Sequence, residues 1–209
     1  MILSIDTTSE LGSIALTEGS AVVEEIALAA PEGFGHVLYG LIQRLLEKKG
    51  VSVQEMECFA AASGPGSFTG VRIGLTAVKG LAEATRKRVV AVSNLRALAY
   101  FGTARLRATV LDARRGEVYA ALYNSELQPV VPEAVLKMDD WLRALPEQDC
   151  ERISMIDHPR PLAAAIGRIA WEDFRAGRSL DPAAIDANYV RRSDAELFWN
   201  EPRPAKSPQ

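Results

Sequence analysis

An α/β protein of two similar halves, each a mixed β-sheet flanked by helices, is the fold that this 209-residue sequence predicts. Three observations carry the expectation. The first hundred residues alternate strand-length and helix-period apolar runs in the order βββαβαβ, which folds into a mixed sheet with helices on its faces. A strand-Asp-turn-strand unit opens the chain at Asp6 and returns at Asp112. Between them a Gly-rich stretch, Ser63 to Gly74, ends a strand-like run and opens a helix-like one.

Taken in order, Ile2 to Ile5 forms a strand, Asp6-Thr7-Thr8-Ser9 turns it into a second at Gly12 to Thr17, and a third follows at Ala21 to Leu28. Strands in succession with short turns make a meander. Gly33 to Lys49 is helical, because Val37, Leu38, Leu41, Ile42, Leu45 and Leu46 recur at spacings of three and four before Gly50. A strand at Phe59 to Ala62 enters the Gly-rich turn, the second long helix runs from Thr69 to Thr85, and Arg88 to Val92 is the fifth strand. After a short helix at Asn94 to Phe101 the pattern restarts. Strands at Ala108 to Leu111 and Glu117 to Tyr123 flank Asp112-Ala113-Arg114-Arg115-Gly116. A strand at Glu133 to Lys137, a helix at Asp139 to Leu145, a strand at Arg152 to Ile156 and a helix at Pro159 to Ala176 complete the second half. The boundary falls near Phe101 to Arg105, giving halves at 1–103 and 104–200, and the three prolines of 201–209 read as a frayed tail.

Composition narrows the function. With 48% hydrophobic and 24% charged residues, the chain can bury a core of ordinary size. A net charge of −3 argues against a stand-alone nucleic-acid binder, and the basic clusters at Arg86 to Arg88, Arg114-Arg115 and Arg191-Arg192 are short. Cys58 and Cys150 have no partner at metal-ligand spacing and read as reduced thiols of a cytoplasmic protein. The N-terminus lacks a basic leader, and no apolar run reaches the ~20 residues that span a bilayer. His36 and His158 are too few and too separated to propose a metal site, and Ser63, Ser67 and Thr69 have no evident His partner.

Gly64, Gly66, Thr69 and Gly70 allow two uses of the Gly-rich turn. Its backbone N–H groups can face an anion at the helix start, or its small residues can let the helix pack close to a neighbour. The two Asp turns differ in the same respect. Asp6, Thr7 and Thr8 are permissive of a phosphate, whereas Asp112 is followed by bulky Arg114 and Arg115, so one phosphate grip is degraded. The second long helix confines Arg72, Thr76, Lys79 and Glu83 to one stripe and leaves an apolar arc of roughly 200°, about twice what one sheet face requires. Val37, Leu41 and Leu45 show a similar excess on the first helix. Either both helices lie inside a crowded domain, or their outer faces meet another subunit.

Asp6-Thr7-Thr8-Ser9, the whole Ser63 to Gly74 stretch, Lys79-Gly80-Leu81-Ala82 and Asp112 to Tyr119 together resemble the bacterial TsaB family, also called YeaZ. Tyr189-Val190-Arg191 is similar to the family's C-terminal Tyr-Leu-Arg. The resemblance implies an actin/hexokinase/Hsp70-like (ASKHA) fold and a non-catalytic scaffold, without cofactor or metal, in the making of threonylcarbamoyladenosine beside the anticodon of tRNA. It implies a heterodimer with a TsaD-like catalytic subunit through the N-terminal helices, at Val37, Leu41, Leu45, Ile73, Gly74, Ala77, Gly80, Leu81 and Ala84. It further implies a TsaE-like ATPase in a larger complex, a homodimer when the partner is absent, and only indirect contact with tRNA. TsaD-like relatives carry His-x-x-x-His after the fifth strand, where this chain has Asn94 and Leu98, so the metal grip is missing. The alternatives are an ATP-dependent phosphotransferase of the same fold, using Asp6 or Asp112 around Mg²⁺, and an M22-type metallopeptidase.

Overall fold

The structure, a computed structural model, describes residues 1–156 and 158–190; Arg191, Arg192 and the expected tail at 201–209 lie outside the described residues. Five strands build the first sheet: β1 (Ile2–Asp6), β2 (Leu11–Glu18), β3 (Ala21–Ala29), β4 (Cys58–Ala62) and β5 (Arg88–Val92), in the spatial order β3-β2-β1-β4-β5. The meander is antiparallel, and β4 and β5 add in parallel through helical crossovers. Central β1 and β4 are buried on both faces, which is why they read as continuous apolar runs without alternation.

On one face lie α1 (Leu38–Lys49) and α2 (Phe68–Thr85), where Leu38, Leu41, Leu45, Val71, Leu75 and Val78 pack with Leu3, Ile5, Ile14 and Leu16. The first helix starts at Leu38 instead of Gly33. Gly33 adopts φ +89°, and Phe34 turns inward to join this core, so the preceding segment is spent on a turn. Gly50 ends α1 in the left-handed conformation, at φ 65°.

A second sheet, in the order β8-β7-β6-β9, is made of β6 (Leu106–Asp112), β7 (Glu117–Asn124), β8 (Pro129–Lys137) and β9 (Cys150–Ser154). On one of its faces α3 (Asn94–Ala99) places Leu95 and Ala99 against Ala121 and Tyr123. The other receives Trp141 of α4 (Met138–Ala144) among Ala108, Val110, Val118 and Leu122.

The last helix, α5 (Ala163–Arg175), falls within the 104–200 stretch expected as a second half and packs on the first sheet. Leu162, Ile166, Ile169 and Ala170 cover Ile2, Ala60, Ala62, Val90 and Val92, on the face opposite α1 and α2. The approach is close because Gly167 lies over β1 and β2: an added Cβ would come within 2.8 Å of Thr17 Cγ2 and 2.9 Å of Ser4 Oγ. Ser4 Oγ donates to the Ala163 carbonyl at 2.7 Å, and Ala163 N–H donates to Ser13 Oγ at 3.0 Å. Asp173 of α5 is buried and accepts from both Arg96 and Arg178. Burial pushes its carboxyl up, but the two guanidinium groups outweigh it and hold the group below the ordinary carboxylate value.

Candidate functional site

The first Asp turn is an internal fastening. Asp6 is 1% exposed, and its Oδ1 accepts from Thr8 N–H at 3.0 Å and from Thr8 Oγ1 at 2.6 Å. Thr8 Oγ1 in turn accepts from Asn94 Nδ2 at 2.5 Å, and Asn94 Oδ1 accepts from Gly64 N–H at 2.9 Å. Asp6 Oδ2 has no hydrogen-bond partner among the described residues. Burial pushes the Asp6 carboxyl up against the lowering effect of the Thr8 and Asn94 hydrogen bonds, with the Glu25 charge adding to the rise.

The Gly-rich turn closes over this fastening. An added Cβ on Gly70 would stand 2.0 Å from the Thr7 carbonyl oxygen, on Gly66 2.8 Å from Thr8 Cβ, and on Gly74 2.8 Å from Thr7 Oγ1. Thr7 Oγ1 donates to the Gly70 carbonyl at 2.7 Å, and Ser67 N–H donates to the Thr8 carbonyl, also at 2.7 Å. Of the two uses open to these glycines, close packing is the one the geometry displays. Gly64, at φ +98°, directs the chain from β4 into the turn, while Thr69 is exposed at the start of α2.

The second Asp turn is open. Asp112 has a side chain 48% exposed, accepts from Arg114 N–H at 2.8 Å, and lies 3.7 Å from the Arg114 Nε. Arg114, Arg115 and Gly116 follow one another at φ 64°, 57° and 74°. Between this turn and the Gly-rich turn lies a cleft of about 430 Å³. Ser63, Pro65 and Phe68 form one wall, Arg114, Arg115 and Tyr119 the other, and the segment from Ala187 to Val190 closes the end. At the rim the Arg72 guanidinium stacks 3.8 Å over the Phe68 ring and donates to Tyr189 Oη at 3.3 Å. The Phe68 and Tyr189 ring centroids are 6.0 Å apart.

Glu133 of β8 holds the cleft's end in place. Its Oε1 accepts from Tyr123 Oη at 2.6 Å and from the hydroxyl of Ser93, the N-cap of α3; its Oε2 accepts from Asn188 Nδ2 at 2.6 Å. Asn188 N–H donates to the Ser63 carbonyl at 2.7 Å, so one carboxylate links both sheets to the C-terminal segment. Sequence reasoning misses Glu133 and Asn188. No local pattern marks an acid in an edge strand as the acceptor for three distant donors.

The helix pair divides the expected interface residues into two groups. Leu41, Leu45, Gly74 and Ala77, the last 2% exposed, are buried within the chain, and all but Gly74 belong to the core under the first sheet. Val37, Ile73 and Leu81 lie half-buried at the margin of that core, and Gly80 and Ala84 are exposed. Tyr39, part of the apolar excess that the sequence shows on the first helix, is exposed on α1. Neither Gly40 nor Gly80 would bring an added Cβ within 4 Å of another group.

At the two positions where the sequence resemblance implies an imidazole pair in TsaD-like relatives, Asn94 is committed to Gly64 and Thr8, and Leu98 is wholly buried. Among the described residues no group of three or more His, Cys, Asp or Glu side chains is placed to hold a metal ion. No described helix is long and apolar enough to cross a membrane.

Comparison with known proteins gives this geometry a family. The model of TsaD, tRNA N6-adenosine threonylcarbamoyltransferase, matches residues 29–173. The tRNA threonylcarbamoyladenosine biosynthesis protein TsaB of Bacillus subtilis is 37% identical over 224 residues, covering 96% of this chain and 98% of that protein. The TsaB of Escherichia coli is 33% identical, covering 88% of this chain and 83% of its own. Among solved structures, YeaZ from Pseudomonas aeruginosa superposes with a TM-score of 0.77 at 27% identity, covering 90% of this chain and 99% of that one. A tRNA N6-adenosine threonylcarbamoyltransferase of Methylorubrum populi is 41% identical over 46% of this chain and 26% of its own. With this agreement in sequence and in the arrangement of two mixed sheets flanked by helices, the chain belongs to the TsaB (YeaZ) family and has its ASKHA-like fold.

Proposed function

We propose that this protein serves threonylcarbamoyladenosine formation in tRNA as a non-catalytic subunit, docking a TsaD-like transferase on the outer face of α1 and α2. The role in threonylcarbamoyladenosine biosynthesis follows from the family. The observation that carries the docking surface is the pair of open glycines, Gly40 and Gly80, on solvent-facing helix positions. Glycine inside a helix costs about 0.5–1 kcal/mol relative to alanine, and nothing inside this chain offsets that at either position. A partner helix approaching closely does, with Tyr39, Val37, Ile73, Leu81 and Ala84 supplying apolar contact.

Two features support the absence of catalysis in this subunit. Asn94 and Leu98 replace the imidazole pair of the transferases and are committed to the fold. The Asp6 turn, where a phosphate and its metal would be held in a phosphotransferase of this fold, is packed under Gly66 and Gly70. A TsaE-like ATPase joins the same assembly in this reading, the chain pairs with itself through the same face when alone, and the site of action is the cytoplasm.

Gly80→Arg tests the reading by co-purification with the TsaD of the same organism. The expected result is loss of the complex with an unchanged unfolding transition; a complex that survives removes this face from the interface. Ala77→Arg is unsuitable, since that side chain points into the core.

A further inference from the structure

We propose that the cleft between the Gly-rich turn and the Asp112 turn receives one unpaired nucleotide of the RNA substrate. Its base lies against the aromatic rim, and its phosphate meets the guanidinium groups of Arg114 and Arg115. The inference rests on the tRNA-modification reading above and adds to it a direct contact by this subunit.

Charge is the first support. The residues lining the cleft include Arg114 and Arg115 and no acid, and Arg72 stands at the rim; beside the turn, Asp112 accepts from the Arg114 N–H and lies 3.7 Å from the Arg114 Nε, in a pair whose arginine side chain is largely exposed. The second is the exposure of large aromatic surface: Phe68 is 54% and Tyr189 51% exposed, and Tyr119 lines the opposite wall. Rings and guanidinium planes around a groove of single-nucleotide size are what unstacked bases bind. An acidic peptide would meet the arginines but bring no planar group to the exposed faces of the rings. A metal-bound triphosphate would find no carboxylate among the lining residues to share its ion, whereas a phosphodiester monoanion requires none.

The backbone supplies the third support. Arg114 and Arg115 hold consecutive left-handed conformations, at φ 64° and 57°, where a turn selected for shape alone would carry glycine or asparagine. Two long cationic side chains are retained there against the conformational preference, and they stand at the mouth of the cleft.

The test uses the full chain and a fluorescein-labelled single-stranded heptaribonucleotide, followed by anisotropy at low and moderate salt. The variant R114G/R115G relieves the left-handed strain, so it is expected to unfold at or above the wild-type midpoint. It should bind the oligonucleotide about tenfold more weakly, with a salt slope shallower by about 0.7, for the one phosphate contact removed. F68A and Y189A should each weaken binding about fivefold or more with the slope unchanged. Variants within twofold of wild type overturn the proposal, as does a free nucleoside monophosphate binding as tightly as the heptamer, or an acidic heptapeptide binding more tightly.

Threonylcarbamoylation of tRNA by the reconstituted subunits separates the two levels. If the wild-type chain supports no modification, the tRNA reading fails, and with it this assignment of substrate. If the wild-type chain supports it and R114G/R115G does so equally, the cleft assignment fails alone.

Discussion

Two glycines of α2, ten residues apart, should respond in opposite directions to the same added methyl group. At Gly70 the new Cβ would stand 2.0 Å from the Thr7 carbonyl oxygen and 3.0 Å from the Thr7 carbonyl carbon, both backbone atoms of the buried Asp6 turn. Neither side can yield as a flexible side chain would, so the start of α2 must lift away from the turn. Overpacking of this kind costs about 1–3 kcal/mol or more. Displacement also breaks the 2.7 Å bond from Thr7 Oγ1 to the Gly70 carbonyl, worth about 1 kcal/mol. The gain in helix propensity returns about 1 kcal/mol, so Gly70→Ala should destabilise by about 1–3 kcal/mol. At Gly80 nothing lies within 4 Å of the added atom, and only the propensity gain remains, about 0.5–1 kcal/mol. Urea unfolding followed by circular dichroism measures both; for a chain of this length 1 kcal/mol moves the thermal midpoint by about 2–4 °C. A Gly70→Ala protein as stable as wild type would refute the claim that the Gly-rich turn is packed onto the Asp6 turn. A destabilised Gly80→Ala would show that this position has an internal partner, and the argument for a docking face there would lose its basis. With Gly80→Ala more stable alone, its affinity for the TsaD subunit should fall, separating what the helix prefers from what the interface requires.

The remaining predictions concern the buried Asp6 carboxyl and the Glu133 carboxylate at the cleft's end. Asp6 has its folded pKa raised above the ordinary value, so the native state binds the extra proton, and wild-type stability should fall as pH rises from about 4 toward that raised value. Asp6→Asn removes this dependence; its stability relative to wild type should therefore climb from pH 4 to a plateau, and a difference flat across urea titrations at several pH values would show that Asp6 ionises normally. Glu133→Ala leaves the buried Tyr123 hydroxyl and the Asn188 amide without their acceptor, costing about 2–3 kcal/mol, and hydrogen exchange should quicken at Asn188, whose N–H is held by Ser63. Unchanged exchange there would mean that the segment is held without Glu133.

Which of these features the sequence discloses depends on whether their cause is local. Strands and helices were legible because their periodicity is written within each segment, as in Leu38, Leu41, Ile42 and Leu45. The destination of α5 was not, because Leu162, Ile166 and Ile169 announce an apolar face without saying which of two sheets it covers. The residues that fix the choice, Gly167 above Thr17 and Ala163 between Ser4 and Ser13, are paired across some 150 positions of chain. The wide apolar arc of α2 has the same ambiguity. It is shared between an inward part, Ala77 and Val78, and an outward part, Gly80 and Ala84, and the partition is set by which side of the helix meets β4, β5 and β1. Cleft residues come from around 63–72, 113–119 and 187–190, so no single window of sequence contains the site.

The repeated Asp turns show how one local sequence acquires two functions. Both place an Asp at the end of a strand that accepts from the backbone N–H two residues on, at 3.0 Å for Asp6 and 2.8 Å for Asp112. Their difference comes from what lies above them. The turn at Asp6 is covered by Gly66 and Gly70, excluded from water and joined to Asn94, so that it fastens β1, α2 and α3 together. Arg114 and Arg115 prevent any such cover at Asp112, since their left-handed backbone sends the turn outward beside the cleft. In this way a duplicated unit gives one stable internal joint and one open, positively charged surface. The first ties β1, α2 and α3 together, and the second stands beside the cleft at which the RNA contact is proposed.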